Sequence, residues 1–124
     1  MNRRSFITSA TAFATAAVLP IKALAGGKSG KFSGDSNHVA KGVVKVENGK
    51  ILLQDNFWFD GAPDPRIALG KGGKFISGTD FAVLKKDSGA QEYVIPASLS
   101  GKKFDTVVIW CRRFSVQLGN AKLN

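Results

Sequence analysis

The chain has one cysteine, one histidine and four prolines in 124 residues, with nine acidic residues against eighteen basic ones. A single cysteine cannot close a disulfide within the chain, so a disulfide-stapled scaffold is excluded. One Cys and one His fall short of the four-ligand sets that make structural zinc sites. No segment after the first 25 residues keeps a helical period. What is abundant is apolar and turn-forming: 44% hydrophobic residues, nine Phe, two Trp and fourteen Gly. That composition argues for a folded core rather than disorder, and the length allows one domain.

Residues 1–25 read as an export signal. Arg3-Arg4 precede an uncharged run from Ser5 to Leu19, and the segment closes on Ala23-Leu24-Ala25, the small-x-small pattern accepted by a signal peptidase. Asn2-Arg3-Arg4-Ser5-Phe6-Ile7 resembles a twin-arginine start. The run is short of the ~20 apolar residues that span a bilayer, so membrane contact is expected only in transit, with the periplasm or another extracytoplasmic space as destination. No Cys adjoins the cut, which excludes a lipid anchor there. Cleavage after Ala25 leaves 99 residues, and losing Arg3, Arg4 and Lys22 takes the net charge from +9 to +6.

The remaining chain reads as short antiparallel strands. Gly26 to Asn37, rich in Gly, Ser and Lys, is expected to be a flexible lead-in or weak edge strand, with the domain proper over 38–124. Asn48-Gly49 between two alternating apolar runs, 42–47 and 50–55, is the strongest hairpin signal. Phe57-Trp58-Phe59 precedes a turn-rich Asp60–Pro65, and Arg66–Leu69 reads as a strand with Ile67 and Leu69 on one face. Gly70–Thr79 reads as a loop by composition, Phe81–Lys86 as a strand, and Gln91–Ile95 as a strand ended by Pro96. The last hairpin pairs 106–111 with 114–118 across Arg112-Arg113. In it Val107, Ile109 and Cys111 face one way while Val108 and Trp110 face the other, as in a central strand covered on both sides. The expected fold is all-β: a small antiparallel β-sandwich or barrel of six to eight strands.

Four stretches carry a family resemblance. They are Gly42-Val43-Val44 with its hairpin, Asn56–Asp64, Gly89–Pro96 with its Tyr93-x-x-Pro96 pattern, and Val107-Val108-Ile109-Trp110-Cys111 with Phe114-Ser115-Val116. Together they resemble the DM-thirteen domain family, an all-β electron-transfer module associated with DOMON domains, over about Val39 to Leu123. Asp64-Pro65-Arg66 departs from that family, which more often has an apolar residue right after Pro-Asp. The resemblance implies that Cys111 is the family's signature cysteine, with a redox role.

The residues themselves leave two functions open. Cys111 is the one group that readily changes oxidation state, and Arg112 and Arg113 beside it are candidate thiolate stabilisers. Equally, free Cys is among the most buried residue types and often only packs. His38 could join Cys111 around copper or haem, although a blue-copper site wants a second His; the sequence requires no cofactor. Asp55, Asp60 and Asp64 offer oxygen ligands for calcium, but Asp-Gly and Pro-Asp are ordinary turn chemistry. Gly70-Lys71-Gly72-Gly73-Lys74 lacks the Lys-Ser/Thr ending and the helix of a phosphate cradle, and no Gly-x-Ser-x-Gly elbow marks a hydrolase. The lysines read as scattered along the chain, a solvated surface able to attract anionic head groups, polymers or an acidic partner. Export disfavours nucleic acid. The first function is thus an exported redox or electron-transfer accessory centred on Cys111 and served by a redox partner protein, not a stand-alone enzyme. The alternative is a non-catalytic envelope-binding module in which Cys111 is core and Phe57-Trp58-Phe59 offers a stacking surface.

Overall fold

A computed structural model describes residues 27–124, so the export signal expected over 1–25 lies outside the described residues. In chain order the strands are β1 (Lys28–Gly34), β2 (Ala40–Lys41), β3 (Val43–Glu47), β4 (Lys50–Leu53), β5 (Trp58–Phe59), β6 (Pro65–Lys71), β7 (Lys74–Phe75), β8 (Ala82–Val83), β9 (Gln91–Val94), β10 (Thr106–Cys111) and β11 (Val116–Lys122). Among the described residues a 3-10 turn, Ala97–Leu99, follows Pro96. Among the described residues no helix is long and apolar enough to cross a membrane.

The expected hairpin is present. Asn48 and Gly49 both take positive φ, 51° and 75°, as a type I′ turn requires, and the register pairs Val44 with Leu53 and Val46 with Ile51. Val44, Ile51 and Leu53 are buried while Lys45 and Lys50 are exposed, the period-two signature of a sheet with one wet face. From this hairpin the sheet runs β9-β4-β3-β1-β11-β10-β6-β8, with β7 paired onto β6, and a separate β2-β5 pair. All pairings are antiparallel. The sheet curls into a half-barrel around one apolar cluster that includes Phe32, Ile51, Leu53, Phe57, Phe59, Ile67, Leu69, Val107, Ile109, Cys111 and Leu118. The all-β expectation therefore holds.

Three local expectations are corrected. Within the expected lead-in, residues 28–34 form a strand inside the sheet and not at its edge: β1 pairs with β3 through Lys28–Lys31 and with β11 through Phe32–Gly34. Glycine is the reason a polar, glycine-rich segment can sit there. A Cβ on Gly30 would lie 2.2 Å from the Lys122 carbonyl oxygen, so that neighbouring backbone fits only where a side chain is missing. The segment 70–79 is not a plain loop either. It makes the tight β6–β7 hairpin, and buried Thr79 accepts from Leu69 N (3.1 Å) and turns its hydroxyl to the carbonyls of Leu69 (2.9 Å) and Ile76 (2.6 Å). The last hairpin has a four-residue turn, Arg112–Ser115, so that Phe114 is 62% exposed instead of starting a strand.

The mouth of the half-barrel is tied by Tyr93. Its phenol oxygen accepts from Lys85 N (2.8 Å) and donates to Gln91 Oε1, while Gln91 Nε2 donates to the carbonyls of Lys86 (3.0 Å) and Gly89 (3.2 Å). Burial pushes the Tyr93 phenol above its ordinary range, which keeps the donor proton in place. The knot ties β9, at one edge of the sheet, to the segment that follows β8 at the other.

The central placing of β1 is testable by urea denaturation. Gly49→Ala meets nothing within 4 Å, so its cost is the positive φ alone, about 1–2 kcal/mol. Gly30→Ala drives a methyl into backbone and is expected to cost more. A Gly30→Ala protein as stable as the parent would show that β1 does not pack between β3 and β11.

Candidate functional site

Cys111 stands at the end of β10, paired with Pro65 on β6 and Val116 on β11. Its side chain is 1% exposed and belongs to the interior apolar cluster. The alternation expected for β10 is therefore realised: Val107, Ile109 and Cys111 face the core. On the opposite face Val108 is buried too, and Trp110 stacks on Phe75 with ring centroids 3.8 Å apart and planes 11° apart. The β6–β7 hairpin thus supplies the second layer over this strand.

Arg112, which adjoins Cys111 in the chain, and Arg66, which adjoins its partner Pro65 across the sheet, are each engaged by an aspartate. Arg112 donates through Nε to Asp80 Oδ2 (2.9 Å) and through a terminal nitrogen to the Asp80 carbonyl (2.9 Å). Its backbone N–H reaches the Asp64 carbonyl (3.1 Å), and the Asp64 carboxylate in turn accepts from Arg66 Nε (2.9 Å). Arg112, a candidate thiolate stabiliser by sequence, thus has its charge met by Asp80. Arg113 lies exposed in the turn with no ion-pair partner among the described residues. These contacts fasten the 112–115 turn to the segments at Asp64 and Asp80, closing the end of the strand above Cys111.

The other sequence candidates are not gathered around the sulfur. His38 Nδ1 lies 2.9 Å from Asp60 Oδ1, its ring stacks on Phe59 at 5.8 Å, and Asp60 Oδ2 accepts from Val39 N (3.1 Å). Asp60 and Asp64 therefore serve His38 and Arg66, and Asp55 sits exposed in a turn. Among the described residues no group of three or more His, Cys, Asp or Glu is placed to hold a metal ion. In the Gly70–Lys74 stretch the backbone N–H of Gly72 is taken by Asp105 Oδ1 (2.8 Å) and that of Gly73 by Thr106 Oγ1 (3.0 Å), so these amides cradle no phosphate.

With this geometry in view, comparison with known families is decisive. The family model described as Electron transfer DM13 matches residues 31–123. The chain belongs to the DM13 family. Neither the curated proteins nor the solved structures yield a match. The DM13 match begins inside β1 and ends just past β11, so every strand pairing of the half-barrel falls within it apart from those of Lys28, Ser29 and Gly30 with β3. The family description gives this DM13 domain an electron-transfer character at the level of the whole domain.

Two measurements follow from the DM13 site. The Arg112–Asp80 pair is partly exposed and worth about 0.2–1 kcal/mol. Its loss through Arg112→Ala is expected to speed labelling of Cys111 by a thiol reagent roughly two- to five-fold, through more frequent local opening; an unchanged rate would show that the turn does not gate the sulfur. The His38 contact holds the Asp60 carboxyl below its ordinary range, helped by the Val39 N–H against the opposing effect of burial. A depressed carboxylate stabilises the fold above its unfolded pKa of about 3.9 and loses that contribution as pH falls through the lower folded value. Asp60→Asn is therefore expected to be less stable than the parent at pH 6 by urea titration, with the difference shrinking below about pH 4.

Proposed function

We propose that this DM13 domain is an exported electron-transfer accessory in which Cys111 is the reactive or ligating residue. The observation that carries the reading is membership of an electron-transfer family over residues 31–123 in a chain whose sole thiol ends the central strand. The twin-arginine pattern at Arg3-Arg4 and the Ala23-Leu24-Ala25 cleavage pattern support delivery to an extracytoplasmic space.

The chemistry open to one sulfur is limited. It can ligate a redox-active group, or as thiolate it can attack a disulfide of a partner protein, forming a mixed disulfide and releasing the partner's other sulfur as thiolate. Either role requires uncovering, because the side chain is 1% exposed. The turn that follows it is the natural point of access: it is short, held through Arg112 to Asp80 and to the Asp64 carbonyl, and tipped by exposed Phe114 and Arg113. An apolar ring beside a cation suits docking of an acidic redox partner, whose binding would displace the turn.

Full burial of Cys111 in the apolar cluster favours a second reading, a non-catalytic envelope-binding module with Cys111 as core. In that case exposed Trp58, 45% accessible, is the contact residue.

The two readings separate on protein purified from its native compartment. Under the electron-transfer reading, the protein carries a chromophore or a partner-linked disulfide, and Cys111→Ser abolishes it. A colourless, unlinked protein whose Cys111→Ser variant is only about 1–3 kcal/mol less stable would establish the second.

A further inference from the structure

The lysines that look scattered along the chain converge in space. Lys31 from β1, Lys74 from β7 and Lys122 from β11 line an open basin of about 740 Å³ on the outer face of the sheet, together with Asp35, Gln117 and Asn120. None of the three lysines has an ion-pair partner among the described residues. The basin thus holds three ammonium groups against one carboxylate, and it faces away from the interior cluster that contains Cys111.

The carboxylate is built in rather than incidental. Asp35 Oδ2 accepts from Gln117 Nε2 (2.9 Å) and from Asn120 Nδ2 (2.8 Å). Residues three apart on a regular strand point to opposite faces, so both amides can reach Asp35 only because β11 carries a register shift. Trp110 pairs with Gln117 while Ile109 pairs with Gly119, leaving Leu118 as the extra residue. Leu118 goes to the core and Gln117 and Asn120 both emerge outside, which is the re-aiming role bulges serve. Gln117 is fixed further, accepting from Phe75 N (2.8 Å) and donating to the Gly73 carbonyl (2.8 Å). Asp35 Oδ1 receives no hydrogen bond among the described residues.

A site for a bare anion gains nothing from a clamped carboxylate. A site for a hydroxylated anion does, because sugar hydroxyls donate to an acceptor while the charged group takes the ammonium donors. The volume is that of a small-ligand site. We propose that this basin binds an acidic sugar unit, with Lys31, Lys74 and Lys122 holding its carboxylate or phosphate and Asp35 accepting from its hydroxyls. The proposal stands apart from the electron-transfer reading, since it uses another face and none of the same residues.

The test is calorimetric titration of the purified protein with glucuronate, glucose 6-phosphate, glucose and inorganic phosphate at low salt. The expected result is that one or both acidic sugars bind at least about tenfold more tightly than glucose and phosphate. Lys74→Gln combined with Lys122→Gln is expected to weaken that binding at least about tenfold while near-ultraviolet circular dichroism, which reads the Trp110–Phe75 stack, stays unchanged. Asp35→Asn keeps an oxygen for the two amides but turns a donor to the basin, so it should erase the preference over phosphate. Phosphate binding as tightly as the acidic sugars, no binding by either acidic sugar, or lysine variants that bind like the parent would each overturn the proposal.

Discussion

Strand β10 is the constraint on which the rest depends. It has a hydrogen-bonded neighbour along each edge, β6 and β11, and buried apolar side chains on both faces, with Val107, Val108 and Ile109 fully inaccessible. Such a strand must be covered twice, since a bare apolar face of that size is costly in water. The curled sheet covers the inner face. The β6–β7 hairpin, folded back to stack Phe75 on Trp110 and to bond Gln117, covers the outer one.

Cys111 takes its character from that arrangement. It ends an inward-facing series whose members are all core, so its environment is apolar. Of the two guanidinium groups next to it in sequence, Arg112 is directed to Asp80, and Arg113 lies exposed in the turn. A sulfur in this setting is protected at rest. Under the proposed electron-transfer reading, chemistry at this sulfur requires that it first be uncovered, because its side chain is buried.

Much of the fold was legible from residue pattern. The Asn48-Gly49 hairpin, the two-sided β10, and the strand stopped by Pro96 all rest on chemistry that acts within a few residues: positive φ, alternation, a missing amide proton. What was not legible rests on contacts between distant segments. β1 looks like linker because its glycines and lysines bury little, and only the close approach of the Lys122 and His38 backbones explains Gly30 and Gly34. The convergence of Lys31, Lys74 and Lys122 and the Asp35 clamp were invisible because a one-residue bulge in β11 decides which face Gln117 and Asn120 occupy. No local signal separates that strand from a regular one.

The sequence by itself determined the all-β class, the family, the single thiol at the end of an apolar strand and the excess of positive charge, because composition and period-two alternation are properties of neighbouring residues. The tertiary structure decided that the thiol is buried, that Arg112 beside it is engaged by Asp80 and that three separated lysines share one basin. Those outcomes depend on sheet order and register, which are set by how the whole chain closes around one core.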